Sequence, residues 1–152
     1  MRLPVQGGAT PPSPAIDTAL VKAALAQIWN TLGTAEETGD VAAFGSVFHD
    51  NARIDGQGGA PLAGRATIEG KARQSFGARK YHVMDMIPIG TTVWDSTAAY
   101  QYGTLMEVHT PHGEKTRTEY GRWAGEVVRG ADGQWRVNHL IAFLDSTRYA
   151  AK

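Results

Sequence analysis

The hydrophobic pattern changes period once along the chain, from helical in the first half to strand-like in the second. Ile16, Leu20, Ala24, Ile28 and Leu32 recur every four residues, with Val21, Leu25 and Trp29 beside them. That spacing lays one apolar stripe along a helix and predicts an amphipathic helix running to about Thr38. Ser13-Pro14 suits its entry, with serine as N-cap and proline at the first helical position, and Gly33 is a candidate kink. Gly39 and Asp40 stop this helix and open a short second one, striped by Val41, Phe44, Val47 and Phe48. His49-Asp50-Asn51 reads as a turn, residues 52–55 as a short strand and residues 56–59 as a glycine-rich loop. A third helix is predicted over residues 65–76, burying Ile68, Ala72 and Phe76.

Beyond residue 80 the period falls to two. Residues 81–89, 97–110, 115–129 and 134–144 read as strands, the last pair joined through Asp132-Gly133, a strong hairpin signal. Tyr100, Tyr102, Thr104, Met106 and Val108 share one face of their strand. Trp135, Val137, His139, Ile141 and Phe143 share one face of theirs, opposite Leu140, Ala142 and Leu144. Helices followed by an antiparallel meander predict an α+β fold, with the helices on one face of the sheet. We expect a single domain over residues 13–152, preceded by an arm over residues 1–12 that is rich in Pro and Gly.

Composition removes several classes of function. Lys plus Arg and Asp plus Glu both number 15, so the chain is neutral and nucleic acid or an acidic membrane is not expected as a partner. The absence of cysteine rules out disulfides, a thiol nucleophile and a Cys-based zinc site, and fits a cytoplasmic protein. No apolar run reaches the ~20 residues of a membrane span, and the N-terminus carries no secretory pattern. There is no Gly-x-Gly-x-x-Gly, phosphate loop or Gly-x-Ser-x-Gly elbow, so no cofactor is expected. His109 and His112 flank a hairpin tip without carboxylates at ligand spacing, so no metal is expected either.

Residues 37–44, 48–55 and 61–68, together with Gly121-Arg122-Trp123 and residues 132–137, resemble the SnoaL-like families of the nuclear transport factor 2-like superfamily. The resemblance covers roughly residues 16–145 and implies a cone: a curved antiparallel sheet packed on three N-terminal helices, around a deep apolar pocket. Dimers through the outer sheet face are common in that superfamily, so a homodimer is expected. Ketosteroid isomerases of the superfamily carry a catalytic Asp where Gly56 stands here, and no acid occurs in residues 121–125, where their second is expected. His82 matches the histidine of scytalone dehydratase-like members, and Glu37 matches their aspartate, as Glu; their tyrosine is again Gly56.

These residues give a candidate site. An imidazole serves as base and acid near neutral pH when a carboxylate orients it, which makes His82 the candidate proton shuttle. Its partner is Glu37 by resemblance, or Asp55 on the short strand. Tyr100 or Tyr102 would hold a substrate oxygen if their face is concave. Trp29, Trp123, Met84, Met86 and Phe143 are candidate pocket wall, with His139 on the Trp135 face. The expected function is a cofactor-independent acid–base enzyme, a dehydratase or other lyase, an isomerase or a cyclase. Its substrate would be a small apolar, aromatic or polyketide-like molecule. The alternatives are a non-catalytic binding module and a dimerisation module of the same fold.

Overall fold

The computed structural model of the protein describes residues 15–56 and 58–151. The expected arm and the Ser13-Pro14 cap lie outside the described residues. Helix α1 (Thr18–Thr38) is capped instead by Asp17, whose carboxylate accepts from the backbone N–H groups of Ala19 and Leu20. It ends at Gly39, in the left-handed region at φ 73°, whose N–H returns to the carbonyls of Ala35 and Glu36. Helix α2 (Val41–Ser46) is capped by Asp40.

Strand β1 (Phe48–Gly56) begins directly after α2, so Phe48 belongs to a strand and His49-Asp50-Asn51 is not a turn. Pairing is the reason. β1 runs parallel to the last strand, β6 (Trp135–Tyr149), with Phe48 opposite Val137 and Ile54 opposite Leu140. The ladder holds Phe48 on one side and Arg53 to Gly56 on the other, and its register slips between them, so residues 49–52 run on as an irregular stretch of the strand. The short β2 (Leu62–Ala63), helix α3 (Arg65–Ala78), and strands β3 (Arg79–Val93), β4 (Ala98–Pro111) and β5 (Arg117–Arg129) complete the order. The sheet runs β2-β1-β6-β5-β4-β3. It is curved, unclosed and mixed rather than purely antiparallel, because β1 joins the meander in parallel. Among the described residues no helix is long and apolar enough to cross a membrane.

The core lies where α1 crosses the concave face. Leu25, Ile28, Trp29 and Leu32 pack with Leu105, Trp123, Val127, Val137 and Leu140. The Trp29 and Trp123 rings meet at 4.6 Å, and the Trp29 indole N–H donates to Gln101 Oε1 at 2.6 Å. Gly33 does not kink α1. A Cβ there would lie 2.5 Å from the Met84 carbonyl oxygen, so glycine lets the helix rest on the β3 backbone.

Two bulges decide which side chains face inward. In β3 the register shifts between Tyr81 and Val83, leaving His82 as the extra residue. Tyr81 is buried and His82 exposed. In β6 the ladder to β5 shifts between Val137 and His139, so Val137 and Leu140 are both buried. His139, Ile141 and Phe143 therefore leave the face of Trp135 and Val137 and turn outward. In β4 the buried positions are Ala99, Gln101, Gly103, Leu105, His109 and Pro111, which puts Tyr100 and Tyr102 on the convex face.

Candidate functional site

Inside the cone, Leu32 and Glu36 of α1 and Phe44 of α2 face Ile54, Met84, Met86, Leu105, Glu107, Leu140, Ala142 and Leu144 across a cavity of about 290 Å³. A chamber of about 90 Å³ adjoins it, sharing Glu36, Phe44 and Ile54 and reaching Tyr81. A wider groove of about 590 Å³ lies elsewhere, between the start of α1 and the turns near Asp95 and Gly133. The cone cavity, unlike that groove, gathers the buried ionisable groups of the interior.

Among the described residues, Glu36 and Glu107 are the only polar side chains that line the cavity. The register of β4 and β5 sets Glu107 directly across from Glu119, and His109, two residues on, shares their face. His109 Nε2 lies 2.9 Å from Glu119 Oε2 and 3.4 Å from Glu107 Oε1. His109 is fully buried, and its Nδ1 has no partner. Glu36 Oε2 is shut off from solvent and is likewise unpartnered. Burial first, then the charges of Glu107 and Glu37, push the Glu36 carboxyl up to about 8. Burial and the Glu119 charge push Glu107 up to about 7, against a lowering by Arg79. The Tyr81 hydroxyl is pushed up by burial and then by the charges of Glu107 and Glu36.

Near neutral pH, then, the cavity holds one carboxyl that keeps its proton and a second that exchanges it readily. Glu107, His109 and Glu119 also bring donor atoms within 4.8 Å of one another, a set that could approach a cation. Yet a metal-bound imidazole ordinarily donates its second nitrogen to a neighbour, and His109 Nδ1 has none.

The residues picked from the sequence are placed elsewhere. His82 is exposed, with Nε2 2.8 Å from Thr110 Oγ1. Glu37 turns its Oε1 to the Met84 backbone N–H at 3.1 Å. Asp55 sits on the outer face, bound by Arg53 and 2.7 Å from His139 Nε2. The structure therefore forms a His139–Asp55 pair outside the cone, and His82 bonds to neither carboxylate. Tyr100, Tyr102 and Phe143 stand on the outer face, Tyr102 46% and Phe143 42% exposed. Trp29 and Trp123 are core, each indole N–H being bonded, to Gln101 and to the Thr104 carbonyl. Met84 and Met86 do line the cavity.

Glu36, Glu107, His109 and Glu119 were missed. Strand parity could have found the last three: Trp123 is an obvious core residue, Glu119 shares its face in β5, Glu107 pairs with Glu119, and His109 lies two residues on from Glu107.

The family model of the SnoaL-like domain matches residues 17–141. No curated protein sequence matches the chain. Among solved structures, a ketosteroid isomerase-like protein from Erwinia carotovora atroseptica is similar at TM-score 0.72 and 15% identity, over 84% of this chain and 95% of that one. A scytalone dehydratase-like protein from Novosphingobium aromaticivorans gives 0.74 and 17%, over 90% and 92%. A hexachlorocyclohexane dehydrochlorinase (LinA) of type 2 gives 0.75 and 14%, over 89% and 92%. At these identities the likeness concerns the fold.

Proposed function

Since the chain belongs to the SnoaL-like domain family, we propose that the cone cavity is the active site of an acid–base enzyme that works with side chains alone on a small apolar molecule. The reading rests on one observation: the two carboxyls that line an otherwise apolar cavity are both raised toward neutrality. Carboxyls tuned to the working pH combine the right protonation state with a useful driving force for proton transfer. Glu107, the lower of the two, is the base that takes a proton from substrate carbon. Glu36, the higher, keeps its proton and gives it to an oxygen or a leaving group. His109, held by Glu119, lies 3.4 Å from Glu107 Oε1 and acts as a positioning residue for that carboxylate. The reaction classes that suit such a pair are elimination, isomerisation and cyclisation. The names of two structurally similar proteins, a dehydratase-like protein and a dehydrochlorinase, denote eliminations.

The test is proton exchange. The full chain is incubated in D₂O with a panel of small cyclic ketones and alicyclic halides, and loss of the α-proton signals, or release of halide, is followed. We expect at least one compound to react, and Glu107→Gln to abolish the reaction with the fold intact. Reaction at the wild-type rate in Glu107→Gln would refute the assignment. Binding across the panel without exchange or release would favour the non-catalytic binding module.

A further inference from the structure

The cavity is surrounded by more negative than positive groups. Glu36 and Glu107 line it, and Glu119 stands behind Glu107 across the β4–β5 ladder. The facing cation is Arg79, which acts on Glu107 and Tyr81 from the first residue of β3. Arg79 itself lines a separate surface concavity with Lys80, Pro111 and His112. Lys71 reaches the wall of the smaller chamber, but its Nζ is bonded to Gln74 Oε1 at 3.3 Å, on the exposed side of α3. Three carboxyls thus converge near one guanidinium and the His109 imidazole, which bonds Glu119 and approaches Glu107, while Glu36 Oε2 has no donor.

We propose that the ligand of this cavity is an apolar amine in its protonated form, its ammonium group seated between Glu36 and Glu107 and its hydrocarbon body against Leu32, Phe44, Met86 and Leu140. This rests on the reading of the cavity as the site and names the substrate class. Burying a charge is costly unless it is paired and hydrogen-bonded, and an ammonium brings three donors to a site where Glu36 Oε2 has none. The raised carboxyls signal the same imbalance: protons fill the place of the missing cation in the free protein. An organic carboxylate or phosphate would meet like charge. A neutral alcohol would satisfy one carboxyl and bring no charge to balance an ionised Glu107. The void of about 290 Å³ has room for a single ring or a short branched chain. A divalent ion suits the walls poorly, since hard cations need six or so oxygen ligands and the remaining lining is apolar.

The experiment compares three isosteres with the full chain at neutral pH: cyclohexylmethylamine, cyclohexylmethanol and cyclohexanecarboxylate. Titration calorimetry should show the amine binding ~10-fold or more tighter than the alcohol, with no measurable binding of the carboxylate, a difference of the size set by one desolvated charge pair. Glu107→Gln and Glu36→Gln should each cut amine affinity several-fold and leave the alcohol within about two-fold. The wild-type comparison stands even if one variant fails to fold. Alcohol binding equal to or tighter than the amine overturns the substrate class and leaves the cavity reading intact. Binding of none of the three removes both. Displacement of the amine by zinc or manganese chloride alone would assign the cation site to a metal and overturn the proposal.

Discussion

On the outer face of the sheet, Asp55 is gripped by the Arg53 guanidinium and by His139, which hold its carboxyl down at about 2. On the inner face, Glu36 and Glu107 rise to about 8 and 7. The chemical group is the same; the difference is what surrounds it. Outside, a cation and an imidazole favour the charged form, and water is at hand. Inside, lost hydration and neighbouring carboxyls disfavour it. A carboxylate with an ideal partner is thus the inert one, because its proton is gone at every working pH. The carboxyls with poor partners retain a proton that can be moved. If the cavity is the active site, its reactivity follows from incomplete satisfaction, to which surface ion pairs contribute little.

The largest effect that tests this contrast is on turnover. Glu36→Gln or Glu107→Gln should lower the rate of the reaction found in the exchange screen by ~10²-fold or more, whereas His82→Ala and Asp55→Asn should stay within about two-fold. Equal losses from the inner and outer variants would erase the distinction between the faces.

Stability comes next. The folded state keeps the Glu36 proton from pH 4.5 up to about 8, while the unfolded chain has already released it. Over that window the native state binds more protons, so stability falls as pH rises, and the loss is complete above about 8. Glu36→Gln should abolish much of that slope and unfold in urea with roughly 2–4 kcal/mol more stability than wild type at alkaline pH, but nearly equal stability at pH ~5. Asp55 has the opposite sign: its contribution is present above 3.8 and disappears as pH falls toward about 2. A wild-type melting temperature that climbs steadily from neutral to alkaline pH would contradict the inner-face assignment.

Gly33→Ala should cost about 1–3 kcal/mol, because the added methyl meets a strand carbonyl that cannot swing aside. A thermal melt unchanged by the substitution would show that α1 does not lie so close on β3. The smallest chemical effect is expected from the outer face. Ile87, Ile89, Tyr102 and Phe143 are 42 to 65% exposed there, and the homodimer expected from the sequence is proposed to form across that face. Phe143→Lys should shift light scattering from dimer toward monomer and leave proton exchange nearly unaltered. A wild-type monomer at tens of micromolar (order of magnitude, where weak interfaces dissociate) would dispose of the dimer.

Where periodicity alone decides, the sequence is readable. The expected stripe is buried along α1 from Val21 to Leu32, while its first members, Ile16 and Leu20, are exposed at and before the helix start; Asp132-Gly133 forms the β5–β6 turn, with Gly133 at φ 79°. The site was lost at two points where one extra residue inverts the order of faces. The bulge at His82 sends that ring outward and brings Tyr81 in. The shift beyond Val137 turns His139 and Phe143 away from the core. No local signature marks either bulge, because a bulge is a property of the pair of strands rather than of one. Glu36 and Glu37 pose a similar difficulty. They are neighbours at the end of α1, and about a hundred degrees of helical turn decides which enters the cavity.

The parallel pairing of β1 with β6 has a bearing on how the chain is made. Ile54 cannot acquire its neighbour Leu140 until the residues between them have left the ribosome. Until then Phe48 and Ala52, both fully buried in the finished protein, lack the strand that pairs with their own. Synthesis therefore proceeds with an unpaired, apolar-sided strand edge exposed, and closure waits for β6. A chain released before residue 140 would have its helices and β3–β5 hairpins but no cavity wall at Leu140 and Ala142, and would be a client for chaperones rather than a closed domain.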